Sequence, residues 1–169
     1  PTFNRGGSLN NLYQSLQKQT IKDFEWLLVD DGSTDDTKNI AEGMRRKAEF
    51  PMRYIYKENG GKHTALNVGV KQITSELTFI VDSDDTLVPD AIETTLQYHK
   101  KYKERKDLCG YSFLRRFPDG NINGKPFEPD EKVGTYIECR INADDTQADK
   151  AEVFYTRCLK EFPFPEYRN

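Results

Sequence analysis

A single α/β domain with a mostly parallel sheet flanked by helices is predicted from three observations. Between Asn10 and Lys106 short apolar strands alternate with helical patterns, and strands separated by helices of that length imply crossover connections. The strand candidates, such as Trp26-Leu27-Leu28-Val29 and Phe79-Ile80-Val81, are continuous apolar runs, as expected of strands buried on both faces. The chain has 169 residues, with 10 Phe, 9 Tyr and one Trp spread along it. That is enough to bury one core, although only 36% of residues are hydrophobic and 31% are charged.

Taken in order, Leu9, Leu12, Tyr13 and Leu16 recur at helical spacing, with Ser8 placed to cap that helix. Phe24 to Asp30 is the first strand, and Gly32-Ser33-Thr34 leads into a helix from Asp35 to Lys47. Met52 to Lys57 is the next strand, and Asn59-Gly60-Gly61 the next turn. Lys62 to Ile73 is helical in pattern, although Gly69 weakens it by about 1 kcal/mol relative to Ala. Leu77 to Val81 is a strand, and Pro89 suits the first turn of a helix that runs to about Tyr102, because the amide hydrogen it lacks has no partner there. Cys109 to Arg116 is a strand followed by a hairpin-like turn at Phe117-Pro118-Asp119-Gly120. Beyond Asn121 the rhythm breaks: Gly124 to Asp149 is polar and turn-rich, Lys150 to Tyr155 returns as a strand, and a short helix runs from Thr156 to about Glu161.

Composition narrows the function classes. The balance of 25 basic and 28 acidic residues, net −3, gives no electrostatic reason to expect a nucleic-acid partner. No apolar run approaches the roughly 20 residues of a spanning helix. Cys109, Cys139 and Cys158 are odd in number and widely spaced, which fits reduced, small apolar residues in a cytosolic compartment better than a zinc site.

The acidic residues fall in two places. In an open parallel sheet ligands bind beyond the carboxyl ends of the strands. The strand ending at Val29 runs into Asp30-Asp31-Gly32-Ser33-Thr34-Asp35-Asp36, and the strand ending at Val81 into Asp82-Ser83-Asp84-Asp85. Both clusters should therefore share one sheet edge. The first is equally read as a turn and helix cap. The second is costly as turn filler, since neighbouring carboxylates repel unless a cation or a donor-rich ligand offsets them. Hard oxygen donors of this kind suit Mg²⁺ or Mn²⁺. Lys62, at a helix start after two glycines, is a candidate phosphate or base contact. His63 and His99 are taken as ordinary surface or core residues, and the basic stretch from Lys100 to Lys106 as the solvated end of a helix.

Several of these segments also resemble a known family. Pro1-Thr2-Phe3-Asn4-Arg5, Gln19-Thr20, Phe24 through Asp36, Gly61-Lys62 with Ala65-Leu66-Asn67, and Asp82-Ser83-Asp84-Asp85 resemble glycosyltransferase family 2 in order and spacing. Asp149-Lys150-Ala151-Glu152-Val153 and Phe162-Pro163-Phe164-Pro165 resemble its bacterial branch that builds surface polysaccharides. The resemblance implies a GT-A fold, a nucleoside-diphosphate sugar donor, UDP-linked, and a Mn²⁺ or Mg²⁺ ion. It implies that Pro1, Thr2 and Asn4 edge the nucleotide pocket, that Asp31 accepts a hydrogen bond from the nucleobase with Asp30 supporting the turn, and that Lys62 lies by the base or phosphates. Asp82 and Asp84 become the Asp-x-Asp element, with Ser83 on the nucleotide side and Asp85 beside it; Asp82, Asp84 and Asp85 are the expected metal carboxylates.

By the same resemblance residues 1–106 form the donor half of the domain and 107–169 an incomplete acceptor half. Transfer is expected to invert the anomeric carbon. The base that inversion needs is expected beyond Asn169; Asp149 is an acceptor-side candidate, ahead of Glu166, Asp144 and Asp145. Family members carry an apolar strand before the Pro-Thr segment, so the native product is expected to extend before Pro1 and after Asn169. The implied partners are the nucleotide sugar and a glycan or lipid-linked acceptor, at the cytoplasmic face of the plasma membrane, where a peripheral association is compatible with such acceptors. Two rivals stand against this reading. Phe79-Ile80-Val81-Asp82-Ser83-Asp84-Asp85-Thr86 also resembles the Asp-x-Asp-x-Thr signature of haloacid-dehalogenase phosphatases, with a nucleophilic first Asp. A nucleotide-binding fragment without turnover is the other.

Overall fold

The computed structural model describes residues 1–141 and 148–166. Helix α1 (Gly6–Gln17), strand β1 (Trp26–Asp30), α2 (Thr37–Lys47), β2 (Met52–Tyr56), α3 (Lys62–Gln72), β3 (Leu77–Ile80) and α4 (Ala91–Tyr102) reproduce the alternation read from the sequence. A hairpin of β4 (Gly110–Arg116) and β5 (Ile122–Asn123) follows, with Gly120 at its tip in the left-handed region. A π-helical turn at Ile137–Ile141, strand β6 (Lys150–Tyr155) and α5 (Thr156–Glu161) complete the order.

The first crossover unit pairs in parallel as expected: β1 runs beside β2 from Trp26↔Met52 to Asp30↔Tyr56, and Thr2 adds a parallel bridge to Asp30, whereas β3 is paired with β6 instead. The second half of the domain departs from that pattern. Strand β6 inserts between β3 and β4 and pairs antiparallel with both, giving the order β3-β6-β4-β5. Its chain arrives through the long connection after β5 rather than through a crossover helix, which leaves its direction free.

The main core lies on one face of β1 and β2. Leu9, Leu12, Tyr13 and Leu16 of α1 meet Leu28 of β1, Ala41 and Met44 of α2, Phe50 and Met52. Helix α3 packs against β1 with Gly69 facing it: a Cβ there would lie 3.2 Å from Val29 Cγ2. The glycine that weakens the helical pattern is what lets helix and strand approach. In the second half Thr78 and Thr156 share a buried hydroxyl hydrogen bond of 2.8 Å, tying β3 to the start of α5.

Several boundaries move for identifiable reasons. Helix α1 begins at Gly6, so Ser8 lies inside its first turn and does not cap it. Asp35, from the neighbouring loop, accepts from the Gly6 N–H at 3.3 Å instead. Asp35 also accepts from its own Thr37 N–H at 3.0 Å, which delays α2 to Thr37. Strand β1 starts at Trp26 because Phe24 turns aside to pack on Phe50, ring centroids 4.7 Å apart. Pro89 lies outside α4, its carbonyl accepting from the Thr20 N–H at 2.8 Å. Cys158 is buried, Cys139 half-buried and Cys109 exposed, so the apolar role foreseen for all three holds best for Cys158. His99 is half-buried, beside Tyr155 and 3.4 Å from Glu76. No helix among the described residues is long and apolar enough to cross a membrane.

Candidate functional site

Strands β1 and β3 both deliver their acidic clusters to one rim, and two separate pieces of chain join the clusters there. The first is the N-terminal segment. Thr2 lies along the end of β1, donating to Val29 O at 2.9 Å and accepting from the Asp31 N–H at 2.8 Å. Asn4 then reaches into the first cluster: its N–H donates to Ser33 Oγ at 2.8 Å and its Oδ1 accepts from the Thr34 N–H at 2.8 Å. Asn4 holds φ +50°, a left-handed conformation that Asn tolerates better than most residues. The next side chain, Arg5, reaches the second cluster and pairs with Asp84.

The second join is the turn after β2. Asp31 is 3% exposed. Its carboxylate accepts from Lys57 Nζ at 2.5 Å, from the N–H groups of Gly60 at 3.0 Å and Gly61 at 2.7 Å, and from Asn59 Nδ2 at 3.4 Å. Burial alone would raise its pKa, but Lys57 and the two glycine amides outweigh burial and hold it below the usual carboxylate range. The next residue, Lys62, opens α3 and pairs with Asp82 at 2.6 Å. The backbone N–H groups expected to meet an anion before α3 are thus occupied by Asp31. Asp30, fully buried, accepts from Tyr54 Oη at 2.5 Å and from the Ser33 N–H at 2.8 Å. Burial, and then that hydrogen bond to Asp30, push the Tyr54 phenol well above its ordinary value.

Gly32 lies where the two joins meet, at φ +86°, and a Cβ on it would come within 2.6 Å of the Asn59 backbone nitrogen. Gly32→Ala should therefore cost about 1–3 kcal/mol through the left-handed backbone and the clash. It should also push Asn59-Gly60-Gly61 away from Asp31. Urea unfolding that matches the parent chain would refute this account of the turn.

Each carboxylate of the second cluster has its own cation: Lys62 for Asp82, Arg5 for Asp84, and Arg115 of β4 for Asp85. Arg115 also pairs with Asp149, so it links this turn to the strand start of β6. Burial raises the pKa of Asp85; Arg115 opposes that, and the charges of Asp82 and Asp84 add to it. Arg5 holds Asp84 below its ordinary value against the effect of burial. Among the described residues no three carboxylate, histidine or cysteine side chains converge on one point. Ser83 is buried beneath the turn, Pro1 is half-buried, and Thr2 Oγ1 is buried with no hydrogen-bond partner among the described residues.

The acceptor-side candidates separate. Asp149 has one oxygen on Arg115 and the other on the Lys150 N–H. Glu166 accepts from Asn67 Nδ2 at 2.7 Å, and the same amide holds Phe164 through its N–H and carbonyl at 2.9 Å each. Asn67 of α3 therefore fastens Phe164 and Glu166 to that helix. Asp144 and Asp145 lie outside the described residues. Sequence reasoning left out Arg5, Lys57, Asn59 and Arg115 as site residues. Only Arg5 and Asn59 carried a local signal, as neighbours of chosen residues. A hollow of about 260 Å³ between Thr74–Glu76 and Tyr155–Lys160 lies on the opposite sheet edge. Its cations Arg157 and Lys160 are spent on the carbonyls of Leu108 and Ile73.

The profile of the family described as Glycosyl transferase family 2 matches residues 1–154. Among curated relatives, a GalNAc(5)-diNAcBac-PP-undecaprenol beta-1,3-glucosyltransferase of Campylobacter jejuni is 30% identical over 142 residues, 79% of this chain and 43% of that one. A chondroitin synthase of Escherichia coli is 34% identical over 148 residues, 82% of this chain and 21% of that one. The chain thus spans less than half the length of these relatives. The crystal structure of Staphylococcus aureus TarS 1-349 superposes with a TM-score of 0.73 at 25% identity, covering 98% of this chain and 49% of that one. A crystal structure of TarS 1-349 in complex with UDP-GlcNAc gives 0.69 at 23% identity, with 98% and 47% covered.

Proposed function

The chain belongs to glycosyl transferase family 2 and has the expected GT-A fold, and on that premise we propose that it transfers a sugar from a UDP-linked donor to a hydroxyl acceptor. The observation that carries this reading is the double bridge, through Asn4-Arg5 and through Gly61-Lys62, that brings the acidic tips of β1 and β3 to one rim. Membership of the family displaces the phosphatase alternative, since two complete strand-helix units precede Asp82 and belong to the same match.

In this reading Pro1, Thr2, Asn4, Asp30, Asp31 and Ser83 shape the nucleoside side. Asp31 acts mainly by fixing the Asn59-Gly60-Gly61 turn, because its oxygens are already engaged. Lys62 and Asp82 face the ribose and diphosphate. A divalent Mn²⁺ or Mg²⁺ would be held at the turn of Asp82, Asp84 and Asp85: Asp82 and Asp84 stand at the rim, 37% and 52% exposed, each paired with a cation that is itself about half exposed. Ions of this type use one or two carboxylates and complete their shell with waters and substrate phosphate oxygens. Such an ion would neutralise charge developing on the leaving diphosphate without proton transfer.

Residues 1–106 form the donor side and 107–169 the acceptor side. There Asp149, held by Arg115 and by the Lys150 N–H, orients rather than deprotonates. The acceptor is a glycan or a lipid-linked glycan in bacterial envelope polysaccharide synthesis, used at the cytoplasmic face of the membrane with the domain peripherally associated. The names of the relatives, which include a PP-undecaprenol glucosyltransferase and a poly(ribitol-phosphate) beta-N-acetylglucosaminyltransferase of Staphylococcus aureus, support that setting. Thermal unfolding with UDP, GDP and dTDP sugars, each with and without Mn²⁺, tests the proposal. UDP compounds should raise the midpoint in the presence of the ion, since a ligand stabilises only by binding the folded state. Stabilisation by none of them would overturn the reading; stabilisation without transfer to any acceptor would leave a nucleotide-binding module.

A further inference from the structure

We propose that Arg5 is an exchange cation of the donor site: it occupies Asp84 while the site is free of nucleotide and moves onto the diphosphate when nucleotide and divalent ion enter. The inference rests on the donor-site reading above and adds to it a residue and a sequence of contacts. Its starting point is that Asp84, a carboxylate proposed for the divalent ion, already has one oxygen taken by the Arg5 guanidinium. Ion and guanidinium draw on the same carboxylate charge, and two cations that close repel one another, so an ion entering at Asp84 favours release of Arg5.

Three observations favour release over a fixed structural pair. Both partners are about half exposed, 46% and 52%, and an exposed ion pair contributes little to stability, so breaking it is cheap. The Arg5 backbone is anchored, its carbonyl accepting from the Ser8 and Leu9 N–H groups at 2.9 and 3.2 Å; the guanidinium can therefore swing from a fixed point at the rim. Arg115 offers the contrast. It is only 26% exposed and shared between Asp85 and Asp149, so it keeps a partner whatever happens at the turn.

The released group has a destination suited to its chemistry. A planar guanidinium binds phosphate oxygens through two parallel N–H donors, which an ammonium cannot do. Lys62 pairs with Asp82 in the same turn, so the diphosphate would meet the ion, a point charge and a forked donor together. Charge also balances: the ion takes over the Asp84 charge that Arg5 had offset, and the diphosphate supplies the anion that Arg5 then needs.

Titration calorimetry of Mn²⁺ alone, and of UDP at saturating Mn²⁺, tests this on the chain and on Arg5→Ala and Arg5→Lys. Arg5→Ala should bind Mn²⁺ alone several-fold more tightly, because its competitor is gone. It should bind UDP with Mn²⁺ about tenfold more weakly, the loss expected for one charge-assisted phosphate contact. Arg5→Lys should recover only part of the UDP affinity. Unchanged affinities in Arg5→Ala, or a parallel loss of both, would overturn the exchange while leaving the donor site standing. A parent chain that binds no UDP with Mn²⁺ would instead overturn the donor-site reading, and the exchange with it.

Discussion

Replacing Asp31 with alanine should destabilise the chain by about 3–5 kcal/mol, the usual result of removing one member of a buried ion pair. Lys57, only 19% exposed, would keep its charge without a counterion. The N–H groups of Gly60 and Gly61 would lose their acceptor as well. Asparagine should recover little, because its NH₂ group would turn a donor toward donors. A pH dependence follows from the lowered pKa of Asp31. The carboxylate's contribution is complete above the unfolded-state value of about 3.8 and is lost as pH falls through the lower folded value. Urea unfolding at pH 7 and at steps down to pH 3 checks both effects. The parent should lose stability with acid, and Asp31→Ala should lack that share of the loss. Equal stability of the two chains at pH 7 would remove Asp31 from the role of anchor for the turn.

Why Asp31 could be found from sequence while its partners could not is a matter of range. An apolar strand running into Asp, Gly and Ser is a local signal, since burial and turn chemistry act over a few residues. The strands, the helices and both acidic tips were therefore visible in order. Pairings across the fold are a different kind of information. Nothing in Gly110–Arg116 marks Arg115 as the partner of Asp85 and Asp149, and nothing in Lys150–Tyr155 says that this strand inserts antiparallel between β3 and β4. The misplaced cap at Ser8 has the same origin. Helix α1 is served by Asp35 from another loop, and a rule confined to adjacent residues selects the nearest serine. Asp31 was expected to accept from a nucleobase; in the structure the chain itself also supplies it with donors. A carboxylate that builds a pocket and one that touches its occupant look alike in a motif.

Asp84 is the opposite case, and Asp84→Ala should separate binding from stability. Its only ion-pair partner among the described residues, Arg5, is about half exposed, so the unliganded chain should lose less than about 1 kcal/mol. The metal-dependent gain should vanish. At ligand concentrations near a hundred times Kd the parent gains about 2.7 kcal/mol, which for a chain of this size raises the midpoint by roughly 5–10 °C. Asp84→Ala should show less than about a tenth of that rise with UDP and Mn²⁺. The two substitutions thus make opposite demands: Asp31→Ala should unfold the rim, whereas Asp84→Ala should leave it folded and unable to hold the ion. A full midpoint shift in Asp84→Ala would exclude this carboxylate from the ion's shell. It would also leave Arg5 with nothing to exchange against, since the guanidinium and the ion would no longer share a carboxylate.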